Sequence, residues 1–406
     1  MRDILHVDLN NFYASCEIIN NPSLKNVPVA VGGSEDDRHG IVLAKNYLAK
    51  DRGITTGMTL YQAKKLCPDI VFVDVHFDLY NKYSKIVREI LLEYTDRVEP
   101  FSIDESWLDV THSKIFGSPK EIADKIREEV KQKTGLTVSV GVSFNKIFAK
   151  LGSDLKKPDA TTVISIDNFK KIVWPLDADT MMGVGKHTYE RLKKVGIKTI
   201  GDIAKTDKKF LEQLLGKMGV ELYEYANGND NDEVRLFTDN VKAKSIGNST
   251  TFYKDITDIR DIELGFTILC ENVSHRMIKH NFLSAGTISI TVKYNDLTSS
   301  SRQTKFDIPC RDSQKFTEKC MELYNKNYKG IKPVRLLGVS VTDLSDRDDY
   351  TQISFFDEPK KDIDKVILSI RDKYGYSSIV KANNLLDKKI ASTFDPQNEE
   401  RQKKEE

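Results

Sequence analysis

Three carboxylates at the ends of apolar runs are the strongest chemical signal in these 406 residues. Asp8 closes the run ILHVDL, and the adjacent pair Asp104-Glu105 sits in FSIDESWLDV, between two β-like stretches. Taken singly, such acids are ordinary solvated strand ends, because Asp and Glu are rarely buried. An acidic pair flanked by apolar residues, with a third acid on another strand, points elsewhere: neighbouring strands would bring all three to one sheet edge. Hard oxygen donors of this kind suit Mg²⁺, which keeps phosphate oxygens and water as its remaining ligands. Two such ions about 3.5–4 Å apart stabilise the attacking and leaving oxygens of an in-line phosphoryl displacement.

Aromatic and basic residues lie near these acids in the chain. Phe12 and Tyr13 follow Asp8 on an expected helix, where core packing is their ordinary use. Tyr47 and Lys50, in KNYLAKDRG, are three apart and share a helix face. Lys146 and Lys150 are spaced i,i+4 in NKIFAK, and Lys157 follows in LKKPD. Runs of lysine are mostly solvated faces, yet a cation opposite metal-bound phosphates is what phosphoryl transfer uses. Further on, DTMMGVGKHTYERLKKVGIKTIGDIAK reads as helix, glycine-rich turn, helix. Gly183 and Gly185 can bring backbone N–H groups close to a phosphate, with Lys186 adding charge.

The elements that must position these groups follow from periodicity. Residues 4–9 read as a buried strand, and the following NNFYASCEIIN as a helix capped by Asn10 or Asn11. Strands are expected at 29–31, 41–44, 70–75, 106–111 and 137–144, and helices at 46–51, 59–66, 78–94 and 119–133. This order suits a ferredoxin-like α+β sheet with helices on one face. Residues 168–232 are helical in pattern. NGNDNDEVRLFTDNVKAK then looks like an interdomain linker. Residues 244–345 give β-α-β-β-α-β, a second α+β unit, and the polar remainder holds one helix-like stretch at 363–374.

Composition bounds the class. Lys+Arg (62) and Asp+Glu (61) nearly cancel, so charge has to be read by segment. Residues 241–340 carry 16 Lys+Arg against 10 Asp+Glu, a local excess suited to phosphate backbones. Five cysteines with no C-x-x-C pair argue against a disulfide framework or a structural zinc site, and suit a reducing cytosol. No signal-peptide core or membrane-length apolar run is seen, so a cytoplasmic protein without membrane contact is expected.

The motifs HVDLNNFYASCE, KNYLAKDRGITTGM, SIDESWLDV and VGVSFNKIFAKLGSDLKKPD, with the Gly-Val-Gly turn at 183–185, occur in the order found in bacterial Y-family (translesion, DinB/UmuC-like) DNA polymerases. The chain resembles that family from residue 1 to about residue 345. The resemblance implies a right-hand α+β multidomain polymerase: ferredoxin-like palm (1–10 and 76–165), small fingers (11–75), helix-hairpin-helix thumb (166–232), linker (233–243), α+β little finger (244–345) and a tail (346–406). It puts the metal-binding acids on Asp8, Asp104 and Glu105, with the Leu9 carbonyl as a further ligand, for two Mg²⁺ ions that Mn²⁺ can replace. Its steric gate against a ribose 2′-OH falls on Tyr13, with Phe12 near the sugar. Tyr47, Lys50 and Lys157 fall on the triphosphate contacts, with Lys146 a weaker addition. Gly183, Gly185, Lys186 and Lys293 fall on DNA-facing elements. Lys50, a point charge without a bidentate fork, stands where many members carry Arg, and Leu43 and Ala44 depart from a small-Thr pattern.

In the tail, Gln352-Ile353-Ser354-Phe355-Phe356 resembles the Q-x-x-aliphatic-aromatic peptides that bind the bacterial sliding clamp, with Phe355 replacing the usual Leu. The implied protein is a monomer that takes primer–template DNA and dNTPs and is tethered to the clamp. With the chain consumed by these domains, no proofreading exonuclease and low processivity are expected. Two other readings compete. A nucleotide cyclase would use a similar sheet but needs no duplex-holding domain, and a catalytically silent, clamp-recruited DNA-binding module predicts loss of one or more acids.

Overall fold

The computed structural model describes residues 2–33, 40–239, 241–328, 330, 332–347, 363–375 and 378–380. They form two compact units divided after residue 240. The first begins with β1 (Ile4–Leu9), α1 (Phe12–Asn20), β2 (Val29–Gly32), β3 (Val42–Lys45), α2 (Tyr47–Asp51), α3 (Leu60–Leu66) and β4 (Val71–Val73). There follow α4 (Phe77–Leu92), β5 (Val98–Pro100), β6 (Glu105–Asp109), α5 (Pro119–Thr134), β7 (Val138–Ser143), α6 (Lys146–Leu155) and β8 (Thr161–Ile164). Local signals explain the ends of several. Ser118 and Glu121 close a capping box on α5, with Pro119 in its first turn and Gly135 in the left-handed region at its end.

The main sheet has the order β5-β6-β1-β7-β8, with β1 antiparallel to both neighbours. Helices cover both of its faces, a departure from the single helical layer expected. Every residue of β1 is buried. Leu5, Val7 and Leu9 join the core of α4 and α5, whereas Ile4 packs with Trp107 and with Ala149 of α6. A strand alternates its side chains between faces, so a run buried throughout demands cover on each side. α6 sits so close that a Cβ on Gly141 would lie 1.9 Å from the Ala149 carbonyl oxygen. Glycine alone permits this seat. α1 buries Phe12, Ala14 and Cys16 in the α4/α5 core, while β3-β2-β4 form a small separate sheet with α2 and α3 around Ala30, Ile54 and Leu60.

The unit continues with α7 (Phe169–Val173), α8 (Lys186–Lys194), α9 (Ile200–Lys205), α10 (Lys208–Leu215) and α11 (Lys217–Ala226), packed around Leu192, Ile200, Leu211 and Leu222. The stretch after α11 is not a free linker where it begins. Val234 is buried, Arg235 pairs with Glu99 at 2.8 Å, and Phe237 N–H donates to the Asp96 carbonyl. Arg2 also donates to the carbonyls of residues 230–232.

The second unit is β9 (Ser245–Ile256), α12 (Ile259–Lys279), β10 (Ser284–Tyr294), β11 (Ser299–Cys310), α13 (Ser313–Asn327) and β12 (Val334–Ser345), in the expected order. Its antiparallel sheet runs β11-β10-β12-β9. A last helix, α14 (Ile363–Tyr374), docks on α12 and α13. Arg371 pairs with Glu271 at 3.1 Å, both buried, and Asp364 accepts from Ser274 Oγ, Ser313 Oγ and Ser313 N–H. Among the described residues, no helix is long and apolar enough to cross a membrane. Gln352–Phe356 lie outside the described residues.

Candidate active site

β1 and β6 place Asp8 directly opposite Glu105. Directly opposed residues project to one face, here the face covered by α6. Asp104 precedes β6; its carbonyl accepts from Leu9 N–H at 3.0 Å and its Oδ1 accepts from Ser102 Oγ at 2.5 Å. The short strand ends are therefore locked by backbone bonds at the residues that carry the acids.

Two lysines from one helix region meet the two opposed carboxylates. Lys157 Nζ stands 2.9 Å from Asp8 Oδ2 and 2.9 Å from Asp154 Oδ1. Lys150 Nζ contacts both Glu105 oxygens at 2.9 and 2.8 Å. Burial, together with the nearby Glu105 carboxylate, pushes the Asp8 carboxyl up to about 7 in spite of Lys157. Burial works against the Lys157 ammonium, but Asp8 and then Asp154 push its pKa up. His6, behind this pair, shares its Nδ1 with Ser153 Oγ at 2.8 Å, and burial, then the Lys150 and Lys157 charges, push its pKa well down.

Among the described residues no three His, Cys, Asp or Glu side chains make a ready-formed metal cage. Mg²⁺ needs none, since it binds through one or two carboxylates plus substrate phosphates. The donor set fits a divalent cation on other grounds. Two hard carboxylates face each other in a partly desolvated setting that raises one of their pKa values, and each already draws an ammonium into contact. Opposed buried carboxylates are stabilised in this way by added positive charge.

The lysines sort differently from expectation. Lys146 is buried, with its ammonium 3.0 and 2.9 Å from the Glu99 oxygens and 4.6 Å above the Trp107 ring. That places it in a structural pair, and Lys150, one turn later, reaches Glu105 instead. The Lys157 loop is pinned from behind. Asn10 Oδ1 accepts from Asp159 N–H at 2.9 Å, and Arg127 holds the Asp159 carboxylate at 2.8 Å. The asparagine side-chain cap expected on α1 is not made: Asn11 makes no cap bond and Asn10 goes to Ser139 and Asp159, while Arg127 carries no sequence signal that separates it from other polar residues.

Tyr13 lies on α1, half-buried, its ring stacked on that of Tyr80 with centroids 4.2 Å apart and planes 11° apart. Burial and then the Asp104 charge push its phenol pKa up. Phe12 is buried in the α4/α5 core, so any contact it makes with a nucleotide comes through its backbone. Tyr47 is half-buried; burial raises its pKa, with the Lys157 and Asp8 charges the next largest influences. The exposed Lys50 ammonium is 5.7 Å from the Tyr47 ring. Arg52, close by in the chain, turns to Asp69 and Cys67. Gly183 is exposed with φ +91°, a conformation that L side chains rarely adopt, and Gly185 caps α8, whose first residue is the exposed Lys186. In the second unit, Lys293 of β10 alternates with buried Val292 and Tyr294 and so projects to the opposite face of the sheet.

The chain matches the impB/mucB/samB family over residues 7–154 and that family's C-terminal domain over residues 243–355. It is 45% identical to the DNA polymerase IV of Acetivibrio thermocellus over 384 residues, covering 93% of this chain and 96% of that one. The chain belongs to the impB/mucB/samB family of Y-family DNA polymerases. Residues 180–230 also match the thumb domain of DNA polymerase-iota. DNA polymerase IV of Alkaliphilus oremlandii is 38% identical, over 94% of this chain and 99% of that one. A solved Y-family DNA polymerase chimera of Dbh and Dpo4 superposes with a TM-score of 0.75 at 26% identity, covering 84% of this chain and 99% of that one. As a Y-family member the protein is a DNA-directed DNA polymerase of the translesion class, dependent on a divalent metal. Its right-hand architecture combines a ferredoxin-like palm, small fingers, a helix-hairpin-helix thumb and an α+β little finger.

Proposed function

We propose that this Y-family polymerase extends primers past damaged template bases with two Mg²⁺ ions held by Asp8, Asp104, Glu105 and the Leu9 carbonyl. The observation that supports this most is the Asp8–Glu105 register pair with Lys157 and Lys150 seated against it. When bound, the ions would ease ionisation of the primer 3′-OH and balance charge on the departing pyrophosphate. Mn²⁺ offers the same octahedral oxygen preference and would substitute. The acids orient the reacting groups from fixed strand ends. Lys157, paired with Asp8 at the strand end, would turn to the β/γ-phosphates, where charge builds during transfer.

Tyr47 and Lys50 grip the rest of the triphosphate. The Tyr13 ring lies against C2′ of the sugar, where a deoxyribose passes and a hydroxyl clashes. Gly183, Gly185 and Lys186 hold a DNA phosphate through backbone N–H groups and charge, without reading sequence, and Lys293 adds to the basic sheet of the little finger. Gln352–Phe356 serves as an extended peptide for the groove of the sliding clamp. The enzyme works as a monomer in the cytoplasm.

Primer extension with Mg²⁺ and dNTPs on undamaged and abasic templates tests this reading beside an Asp104→Ala/Glu105→Ala double variant. Extension past the lesion by the wild type alone is expected. Binding of primer–template without extension by the wild type would overturn it.

A further inference from the structure

The ring that backs Tyr13 is itself tied down by a buried polar group. Tyr80 is fully buried, and its hydroxyl donates to Glu17 Oε1 at 2.6 Å. The same oxygen is 2.8 Å from His76 Nδ1. Glu17 is only 3% exposed, on a helix that buries Phe12, Ala14 and Cys16 in an apolar core. It lies one helical turn after Tyr13 on α1, so gate residue and carboxylate share a helix face. His76 occupies the N-cap position of α4 but makes no side-chain cap bond to that helix; its ring goes to Glu17. Phe77 closes the cluster, edge-on to Tyr13 at 6.2 Å and to Tyr80 at 6.1 Å.

A buried carboxylate is costly unless its hydrogen bonds are met, and an apolar pair would join α1 to α4 with less penalty. What the polar group adds is direction. A ring that excludes a hydroxyl by contact works only if it cannot slide away, and the face of the Tyr13 ring rests directly on Tyr80. Anchoring the Tyr80 hydroxyl fixes the direction of the ring axis, and the packing of Phe12, Tyr13 and Phe77 against the ring sets its rotation about that axis. Burial, with the Glu17 carboxylate beside it, pushes the Tyr80 phenol pKa up, so the hydroxyl stays protonated and donating.

We propose that Glu17 and His76 are positioning residues for sugar selection, acting through the Tyr80 hydroxyl to hold the ring on which Tyr13 stacks. The proposal rests on Tyr13 serving as the gate against ribose. It deepens that role, because discrimination then belongs to a linked group of four side chains drawn from α1, α4 and the residue that caps α4.

The test is kcat/KM for a dNTP and for the matching rNTP on one undamaged primer–template, with wild type and Tyr13→Ala, Tyr80→Phe, Glu17→Gln and His76→Ala variants, each checked for folding by circular dichroism. Tyr80→Phe keeps the ring and removes only the tether, so it decides the matter if Glu17→Gln does not fold. Tyr80→Phe and Glu17→Gln are expected to raise rNTP kcat/KM on the order of tenfold, as sub-ångström to ångström displacements of positioning groups do, and His76→Ala less. A purely structural role lowers both substrates together and cannot raise the ribonucleotide rate. Adding Tyr80→Phe to Tyr13→Ala should change nothing further, since both act on one wall. If Tyr13→Ala admits ribonucleotides while Tyr80→Phe leaves the dNTP/rNTP ratio at its wild-type value, the tether is overturned and the gate stands. If Tyr13→Ala still excludes ribonucleotides, the gate falls and takes this proposal with it.

Discussion

The Lys157 ammonium lies 2.9 Å from the Asp8 carboxylate and 2.9 Å from that of Asp154, so a lysine already balances the buried acid at the end of β1. The pair follows from the fold: β1 ends at Asp8's neighbour, and Lys157 leaves α6 on the same face of the sheet. Both groups are partners in charge before any substrate arrives.

Lys157→Ala should therefore weaken the hold on the incoming nucleotide. A charge-assisted hydrogen bond contributes about 1.5–3 kcal/mol, which corresponds to a rise of about 10- to 100-fold in KM for dNTP. Steady-state kinetics at saturating primer–template would show it. A KM within twofold of wild type would remove Lys157 from the triphosphate.

Arg127 supports that lysine at one remove, by gripping Asp159 and Asp124. Against their partial burial, the surrounding cations and hydrogen bonds hold both carboxyls below their ordinary 3.8. A lowered acid pKa stabilises the fold above the unfolded value and ceases to do so as pH falls through the folded one. Wild type should thus be more stable than Arg127→Met at neutral pH, and the gap should close below pH 3.8. Urea midpoints from neutral pH down through that range would measure it. The variant should also show a raised KM for dNTP, because the loop carrying Lys157 loses an anchor.

Gly141→Ala should be among the most damaging small substitutions in the palm. The new methyl would meet the Ala149 carbonyl and the Ser153 amide, both backbone and unable to turn aside. Overpacking of this kind costs about 1–3 kcal/mol or more. Thermal melts should show a lower Tm, and surviving protein should extend primers poorly because α6 carries Lys150 and leads to Lys157.

Arg371→Met should destabilise the second unit and spare the palm. Removing one partner from a buried pair costs roughly 3–5 kcal/mol, since the other charge stays behind. Limited proteolysis should release fragments from residues 241–345 sooner than in wild type, while the chain before residue 240 keeps its resistance.

Much of this site was legible in the chain because strand pairing turns sequence order into proximity. Asp8 and Glu105 each end or begin a strand, and antiparallel pairing of β1 with β6 sets them opposite. The second unit was equally readable, its β-α-β-β-α-β alternation being clear residue by residue. Lys146 and Lys150 were not separable: they share one helix, one residue type and an ordinary spacing. Once α6 is packed on the sheet, one turns to Glu99 and the other to Glu105. The same limit explains the second helical layer, since an all-buried run such as ILHVDL says that both faces are covered but not by what. Residues 233–239 read as linker because they are polar, yet Arg235 and the buried Val234 hold the stretch to the palm. The helix at Ile363–Tyr374 was visible in its pattern, but its docking depends on Asp364 and Arg371, charges that composition assigns to solvent.

The account stands on Asp8 and its neighbours holding the metal that drives transfer. The most direct measurement is single-turnover incorporation of a correct dNTP in Mg²⁺ by wild type and by Asp8→Asn, paired with Mn²⁺ binding followed by electron paramagnetic resonance. Asn keeps the shape and removes the charge. The prediction is a rate lower by about 10²- to 10³-fold, the scale of losing a main electrostatic group, with weakened Mn²⁺ binding in a folded protein. Incorporation within tenfold of wild type, with Mn²⁺ bound as before, would contradict the assignment of this carboxylate cluster as the catalytic centre.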